Sequence, residues 1–206
     1  MQTDSAPESG LRERKKRQTR ERLIEASFTL FAERGFDNVS VSEIAARVDV
    51  SERTFFRYFP SKEAVIFHDA DERRRHVDEL VANLPANLSL VEGLRRALQT
   101  LSHEFEESKD LQMARARLVA STPSLQTLIL HHEQEWVQSF ANAVADRLGL
   151  DPDDDLRPEL TAAVIVAAFR AVMNRWIRSG GQAEISQMLD QALAYLGTGL
   201  GSSDSE

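Results

Sequence analysis

The chain has 206 residues, of which 42% are hydrophobic and 28% charged, with 9 Gly, 6 Pro and no Cys. This composition is typical of a soluble globular protein, and the absence of cysteine excludes disulfides, thiol catalysis and thiolate-bound metals, so we expect a reducing cytoplasm. The formal net charge is -8, but the charges are unevenly distributed along the chain. Residues 11–62 carry 12 Lys and Arg against 8 Asp and Glu, whereas residues 63–206 carry 13 Lys and Arg against 23 Asp and Glu. This distribution is expected for a phosphate-binding module joined to an acidic domain.

The N-terminal part of the chain predicts a polar tail and one long helix. Residues 1–10 lack the apolar stretch of a signal peptide and, like 201–206, are predicted to be flexible tails. A helix is predicted over 11–34, because Leu23, Ile24, Ser27, Leu30 and Phe31 recur at helical spacing and Gly35 supplies a stop signal.

Two short helices are predicted next. Ser40 followed three residues later by Glu43 is a capping box, so a helix should run to about Arg47. Residues 48–50 form the predicted turn, and Ser51 caps a further helix that ends near Tyr58, since Pro60 disfavours helical backbone at the residue before it.

The rest of the chain continues as helices. They are predicted over 61–83, 89–107, 111–120, 125–148, 157–178 and 184–195, separated by Pro or Gly breaks and by an acidic loop at 151–155. The longest apolar run, 161–169, is too short for a membrane span and predicts a buried helix. The fold class is therefore all-α, with nine helices in two domains, at 11–60 and at 61–200.

Two capped helices joined by a tight turn, after a longer supporting helix, form a helix-turn-helix at 40–59. Apolar residues would lock the two short helices together, which leaves Arg53, Thr54, Arg57 and Tyr58 on the outward face of the second. A major groove of about 12 Å admits one such helix. The N-cap regions at Ser40, Ser42 and Ser51 would offer backbone N–H groups to phosphates.

The same stretch resembles the TetR family of one-component repressors. The resemblance covers 11–67 and is carried by TRERLIEA at 19–26, LFAERGF at 30–36, VSEIA at 41–45, TFFRYF at 54–59 and SKE at 61–63. It implies that Arg53 and Thr54 face base edges, that Arg57 and Tyr58 lie at the groove wall and that Lys62 contacts phosphate.

The chain departs from the family pattern at one position of the predicted recognition helix. Phe56 stands where the family usually has a tyrosine, so the phosphate contact of that hydroxyl should be missing, and the ring would meet a thymine methyl or a sugar instead. A basic segment ahead of the motif, which could contact phosphates or a minor groove, consists of Arg12, Arg14, Lys15, Lys16 and Arg17.

The C-terminal half predicts a dimer and a ligand pocket. The apolar helix around 161–169 and the stripe of the last helix suit a four-helix bundle formed between two chains, as the family resemblance also implies. Candidate pocket walls are the bulky residues of the middle helices, namely Phe105, Leu118, Trp136, Phe140 and Phe169, although ordinary core is the usual role of such residues. Residues 136–176 resemble the mycofactocin-associated branch of TetR regulators, which implies an acyl-CoA ligand.

These features predict a ligand-responsive, homodimeric repressor that binds a palindromic operator and is released by a small hydrophobic ligand. The alternative is an all-helical ligand-binding or adaptor protein with a vestigial helix-turn-helix. An enzyme is not expected, because no phosphate loop, nucleophile elbow or Glu-x-x-His pair occurs, and the histidines at 103, 131 and 132 lack metal-ligand spacing. No cofactor is expected.

Overall fold

The computed structural model describes residues 6–83, 85, 88 and 90–198, and within them the chain is all-α with no strand. It has ten helices: α1 (Ala6–Arg34), α2 (Val41–Arg47), α3 (Glu52–Tyr58), α4 (Glu63–Ile66), α5 (Ala70–Ala82), α6 (Leu90–Glu107), α7 (Lys109–Ser121), α8 (Pro123–Leu148), α9 (Arg157–Arg178) and α10 (Ile185–Thr198). The all-α prediction is therefore confirmed.

The largest differences from the sequence prediction lie at the start of α1 and within the predicted helix 61–83. Helix α1 begins at Ala6, so residues 6–10 of the predicted tail are helical, while 1–5 and the predicted tail 201–206 lie outside the described residues. The single helix predicted over 61–83 is two helices, α4 and α5, separated by 67–69. At this break Arg20 Nη2 donates to the His68 carbonyl oxygen, which a continuous helix would have used for its own ladder.

Two compact units divide the described residues, and each is built from two segments of the chain. Unit 1 comprises the residues up to His68 together with Arg117–Leu125, and unit 2 comprises Asp69–Ala116 together with the residues from Gln126 onward.

The core of unit 1 is formed where α1 packs against α2 and α4, and α2 against α3. Helix α1 ends at Arg34. The next residue, Gly35, has a φ of 80° and reverses the chain, so that Phe36 returns onto Phe31 with 5.0 Å between ring centroids. The core is lined by fully buried side chains, which include Leu23, Phe31, Val39, Ile44, Phe55, Val65, Ile66 and Leu125. These contacts hold the two short helices on the supporting helix, as the sequence predicts.

In unit 2, α6 packs against α5 and α10, and α10 packs against α9. The apolar spacing of α6 explains this position, since Leu94, Ala97, Leu98 and Leu101 lie on one buried face at i, i+3, i+4 and i+7. A second buried group around Trp176 joins Val172 of α9 to Ile185 of α10.

Helix α9 is apolar on two sides, one buried and one exposed. Its buried side is formed by Pro158, Ala162, Ile165, Val172 and Trp176. By length and composition alone it is long and apolar enough to cross a membrane, a test that core helices of soluble proteins also pass. Its other side exposes Leu160 (54%) and Val164 (37%), one helical turn apart.

Candidate nucleic-acid interface

The caps of the two short helices have the geometry that the sequence predicts. The Ser40 hydroxyl accepts from the Glu43 N–H at 3.3 Å and the Glu43 carboxylate accepts from the Ser40 N–H at 2.8 Å, which completes the capping box. Ser51 Oγ accepts from the Thr54 N–H at 3.2 Å. One expectation is corrected, because the Ser40 N–H is already bonded to a carboxylate and is not free for a phosphate.

The turn between α2 and α3 is stabilised by backbone hydrogen bonds and by one left-handed residue. The N–H of Val48 and that of Val50 both donate to the Ala45 carbonyl, at 3.2 and 3.0 Å. Asp49 has a φ of 60°, a conformation that aspartate adopts more readily than most residues with a β-carbon. These backbone hydrogen bonds, together with the one that Arg22 Nη2 donates to the Val48 carbonyl at 3.1 Å, stabilise the turn between the two short helices.

The outward face of α3 has an apolar residue at its centre. Arg53, Phe56 and Arg57, spaced i, i+3 and i+4, are exposed, whereas Phe55 on the opposite side is 0% exposed. Thr54 and Tyr58, predicted on the outward face, are half-buried at its edges. The Thr54 hydroxyl lies 3.0 Å from that of Ser51, and the Arg57 guanidinium lies 5.3 Å from the Tyr58 ring centroid.

An ion pair ties the helix-turn-helix to the supporting helix. Arg34 of α1 reaches Glu43 of α2 with an Nη1–Oε1 distance of 2.6 Å, and its Nη2 donates to the Asn38 carbonyl at 3.1 Å. Hydrogen bonds from the backbone and hydroxyl of Ser40, together with Arg34, lower the pKa of Glu43 from 4.5 to about 2. The ionised carboxylate therefore stabilises the folded helix-turn-helix.

This arrangement predicts an acid-sensitive stability. Because the folded pKa lies below the unfolded one, the contribution of Glu43 is complete above pH 4.5 and is lost as the pH falls toward 2. We expect the urea midpoint, followed by far-ultraviolet circular dichroism, to fall more steeply between pH 5 and pH 3 in the wild type than in Glu43→Gln, which keeps a capping side chain without the charge. Parallel pH profiles for the two proteins would contradict this role.

Lys62 lies just beyond α3, and its ammonium is partly occupied. Nζ donates to the carbonyls of Phe36 and Val39 at 2.7 and 2.9 Å and lies 4.2 Å from the Phe36 ring centroid. An ammonium has three N–H donors, and these two carbonyls use two of them. Lys62 also supports the loop between α1 and α2, a role for which the sequence offered no signal.

The basic segment ahead of the motif is helical. Lys15 and Lys16 lie on exposed turns of α1, and Arg17 forms a 3.9 Å ion pair with Glu21, both side chains being largely exposed. A contact with DNA from this segment would therefore come from the side of a helix and not from an extended arm.

Four of the five residues predicted to line a pocket fall in one part of unit 2. The rings of Phe105 and Phe169 are 5.8 Å apart, as are those of Trp136 and Phe140, and all four belong to or pack against the same buried cluster. The fifth residue, Leu118, is buried in unit 1.

A cluster of largely buried charges in unit 2 was not predicted from the sequence. The carboxylate of Asp69 accepts from Arg73 at 2.9 Å and from Arg115 at 2.7 Å, and the Arg73 guanidinium lies 4.2 Å from the Phe105 ring centroid. Burial lowers the pKa of Arg73 despite this carboxylate. Asp69 and Arg115 are 46 positions apart, so no local pattern in the sequence could reveal the cluster.

The histidines of the middle helices pair with single carboxylates. His132 Nδ1 lies 3.1 Å from a Glu135 oxygen, and His103 lies 3.4 Å from Glu107. Among the residues that the structure describes, no group of three or more His, Asp or Glu side chains is placed to hold a metal ion.

Two family profiles match the chain. The profile described as bacterial regulatory proteins, tetR family, matches residues 23–68, and the one described as the MftR C-terminal domain matches 88–201. The regulator TcmR of Streptomyces glaucescens is 37% identical over 181 residues, which are 84% of this chain and 80% of TcmR. MftR of Mycobacterium tuberculosis, a mycofactocin biosynthesis transcriptional regulator by name, is 28% identical over 91% of this chain and 93% of its own.

Solved structures show the same fold. FadR of Thermus thermophilus, a repressor solved in complex with lauroyl-CoA, aligns with a TM-score of 0.59 and 24% identity over 90% of this chain and 97% of its own. The SmeT–triclosan complex aligns with a TM-score of 0.63 and 17% identity over 92% and 98% of the two chains.

Proposed function

Because the chain belongs to the TetR family of transcriptional regulators, we propose that it is a cytoplasmic repressor that binds a palindromic operator as a homodimer and is released by a small hydrophobic ligand. The observation that carries the proposal is the outward face of α3, on which two arginines flank an exposed aromatic ring. Its relatives are regulators and not enzymes by name.

The proposed contacts divide between bases and phosphates. Arg53 and Thr54 read base edges, Arg57 and Tyr58 contact the groove wall, and Phe56 packs on an apolar group of the DNA. Phosphate contacts come from the third N–H of Lys62, from Lys15 and Lys16 on α1, and from the cap regions at Ser42 and Ser51. The DNA-binding domain would then be 11–60, and 61–200 would hold the ligand and the dimer interface.

The dimer interface is proposed on α9 and α10. Leu160 and Val164 of α9, together with Tyr195 and Leu196 of α10, form the exposed apolar surface of these two helices. A second copy would cover it by forming a four-helix bundle, two helices from each chain. The dimer matters because it sets two recognition helices about 34–36 Å apart, one turn of DNA.

A charge placed on this surface is expected to separate the subunits. Val164 is 37% exposed, so the Val164→Arg variant should still fold. In a dimer its guanidinium would be buried without a counterion, which disfavours association. We expect sedimentation velocity to show a dimer for the wild type and a monomer for Val164→Arg at micromolar concentration. Arg170→Ala, on α9 but paired with Glu133 of α8 at 2.8 Å, serves as the control and should remain dimeric. A dimeric Val164→Arg would place the interface elsewhere.

The ligand site is proposed among the aromatic pairs of unit 2. Phe105 with Phe169 and Trp136 with Phe140 offer apolar walls. The MftR-type profile spans all four residues, and Thermus thermophilus FadR was solved with lauroyl-CoA. These two findings favour a fatty acyl-CoA as the ligand class. The ligand would release the protein from DNA to the extent that it binds the DNA-free conformation more tightly than the DNA-bound one.

The experiment that tests the function is selection of bound duplexes from a random pool by the purified protein. We expect enrichment of an inverted repeat, bound by two chains, and weaker binding when lauroyl-CoA is added. A pool without enrichment would favour a helical ligand-binding protein with a vestigial helix-turn-helix. If a duplex is enriched but lauroyl-CoA does not release it, the proposal of a DNA-binding regulator stands and the proposal of an acyl-CoA ligand is contradicted.

A further inference from the structure

Phe56 is the one large apolar side chain on the exposed face of α3. Its side chain is 50% exposed, so about half of the ring lacks the favourable free energy that burial of apolar surface would give. The neighbouring Phe55 is 0% exposed and packs in the core of unit 1, whereas Phe56 lies outside that core. A single exposed apolar side chain is common on protein surfaces. Phe56, however, lies between Arg53 and Arg57 on the face of α3 that the proposed function places in the major groove.

The orientation of the Phe56 ring is supported by the core. The Phe55 and Phe56 rings meet edge to face with centroids 5.6 Å apart and planes at 86°, and Phe55 packs in turn on Phe59 at 5.6 Å. Phe56 therefore packs on a buried aromatic side chain and lies on the same side of α3 as Arg53 and Arg57.

The chemistry of the major groove limits what Phe56 can recognise. A phenyl ring neither donates nor accepts hydrogen bonds, so it gains from base edges only where they are apolar. Among the four bases, the thymine 5-methyl group is the apolar substituent on the major-groove edge. The flanking arginines instead suit guanine edges and phosphates.

We infer that Phe56 selects a thymine in each half-site of the operator by packing its ring against the 5-methyl group. The inference rests on the proposed function, because it requires α3 to lie in the major groove. It makes Phe56 a specificity-determining residue in place of the backbone contact that a hydroxyl at this position would make.

The test replaces thymine by deoxyuridine, which lacks only the methyl group. Each thymine of a selected duplex is replaced in turn, and the affinity of the wild type, Phe56→Ala and Phe56→Leu is measured by fluorescence anisotropy at one salt concentration. For the wild type we expect one sensitive position per half-site, with a loss of about fourfold per methyl group and about 15-fold when both half-sites are changed. Phe56→Ala should show no loss at that position, and Phe56→Leu an intermediate one.

The control variant is Arg57→Ala, which should bind more weakly throughout but keep the uracil penalty of the wild type. Since Phe56 is exposed, Phe56→Ala should retain the circular dichroism spectrum and thermal midpoint of the wild type. The inference about Phe56 is overturned, and the proposed function is not, if the wild type loses no affinity at any substituted thymine or if Phe56→Ala loses as much affinity as the wild type. A pool that yields no bound duplex contradicts the proposed function and this inference together.

Discussion

Arg53→Ala is expected to weaken binding to the selected operator by about 30-fold or more. A bidentate contact of arginine with a base contributes about 1–3 kcal/mol to discrimination, and a dimer loses two of them, which is about 2–6 kcal/mol in all. Arg53 is exposed on the first turn of α3, where side chains of a recognition helix meet base edges. Fluorescence anisotropy with the selected duplex and with a scrambled duplex measures the effect.

The ratio between the two duplexes identifies a base contact. Loss of a base contact lowers affinity for the operator more than for the scrambled duplex, so the specificity ratio should fall in Arg53→Ala. Arg57→Ala removes the proposed contact with the groove wall, which the DNA backbone and its phosphates form. It should instead weaken binding to both duplexes and reduce the slope of log affinity against log salt by about one unit per contact. The control is Arg96→Ala on α6, an exposed arginine of unit 2, which should change neither quantity.

Asp69→Asn is expected to destabilise unit 2 by about 3–5 kcal/mol, the usual result of removing one partner from a buried ion pair. The side chains of Arg73 and Arg115 are each 12% exposed and share this carboxylate, itself 16% exposed. Asparagine keeps the volume but leaves two buried guanidinium groups without their shared counterion. Arg115 Nε already has no hydrogen-bond partner among the described residues.

Tryptophan fluorescence during urea unfolding can follow this change selectively, because the two tryptophans of the chain, Trp136 and Trp176, both lie in unit 2. The matched control is Asp71→Asn on α5. Asp71 accepts from Arg74 at 3.0 Å but is 78% exposed, so its loss should cost less than about 1 kcal/mol. Equal midpoints for the two variants would show that the Asp69 cluster is effectively solvated.

The helix-turn-helix could be predicted because its signals are local. The capping box at Ser40 and Glu43, the cap at Ser51 and the apolar spacing of the supporting helix act within one or two turns. Exposure within α3 was harder to predict, since Thr54 and Tyr58 are half-buried by neighbours that a helical wheel does not show.

Features that depend on distant residues were missed for a physical reason. The break at 67–69 is stabilised by Arg20, 48 positions away from His68, and Asp69 is fixed by Arg115, 46 positions away. Neither partner can be inferred from helical periodicity, which favoured one continuous helix over 61–83. For the same reason, the sequence did not reveal that Leu118 belongs to unit 1 while the other four predicted pocket residues belong to unit 2.

The two-segment construction of unit 1 has a consequence for how such regulators can be recombined. Arg117–Leu125 completes this unit and includes Leu125, a fully buried side chain. A gene fusion that joined residues 1–68 to a foreign sensor would discard this segment, and unit 1 would be incomplete. Chimaeras that exchange sensors should therefore retain fold and operator affinity only when the crossover is made at three points, after 68, 116 and 125, and not at one.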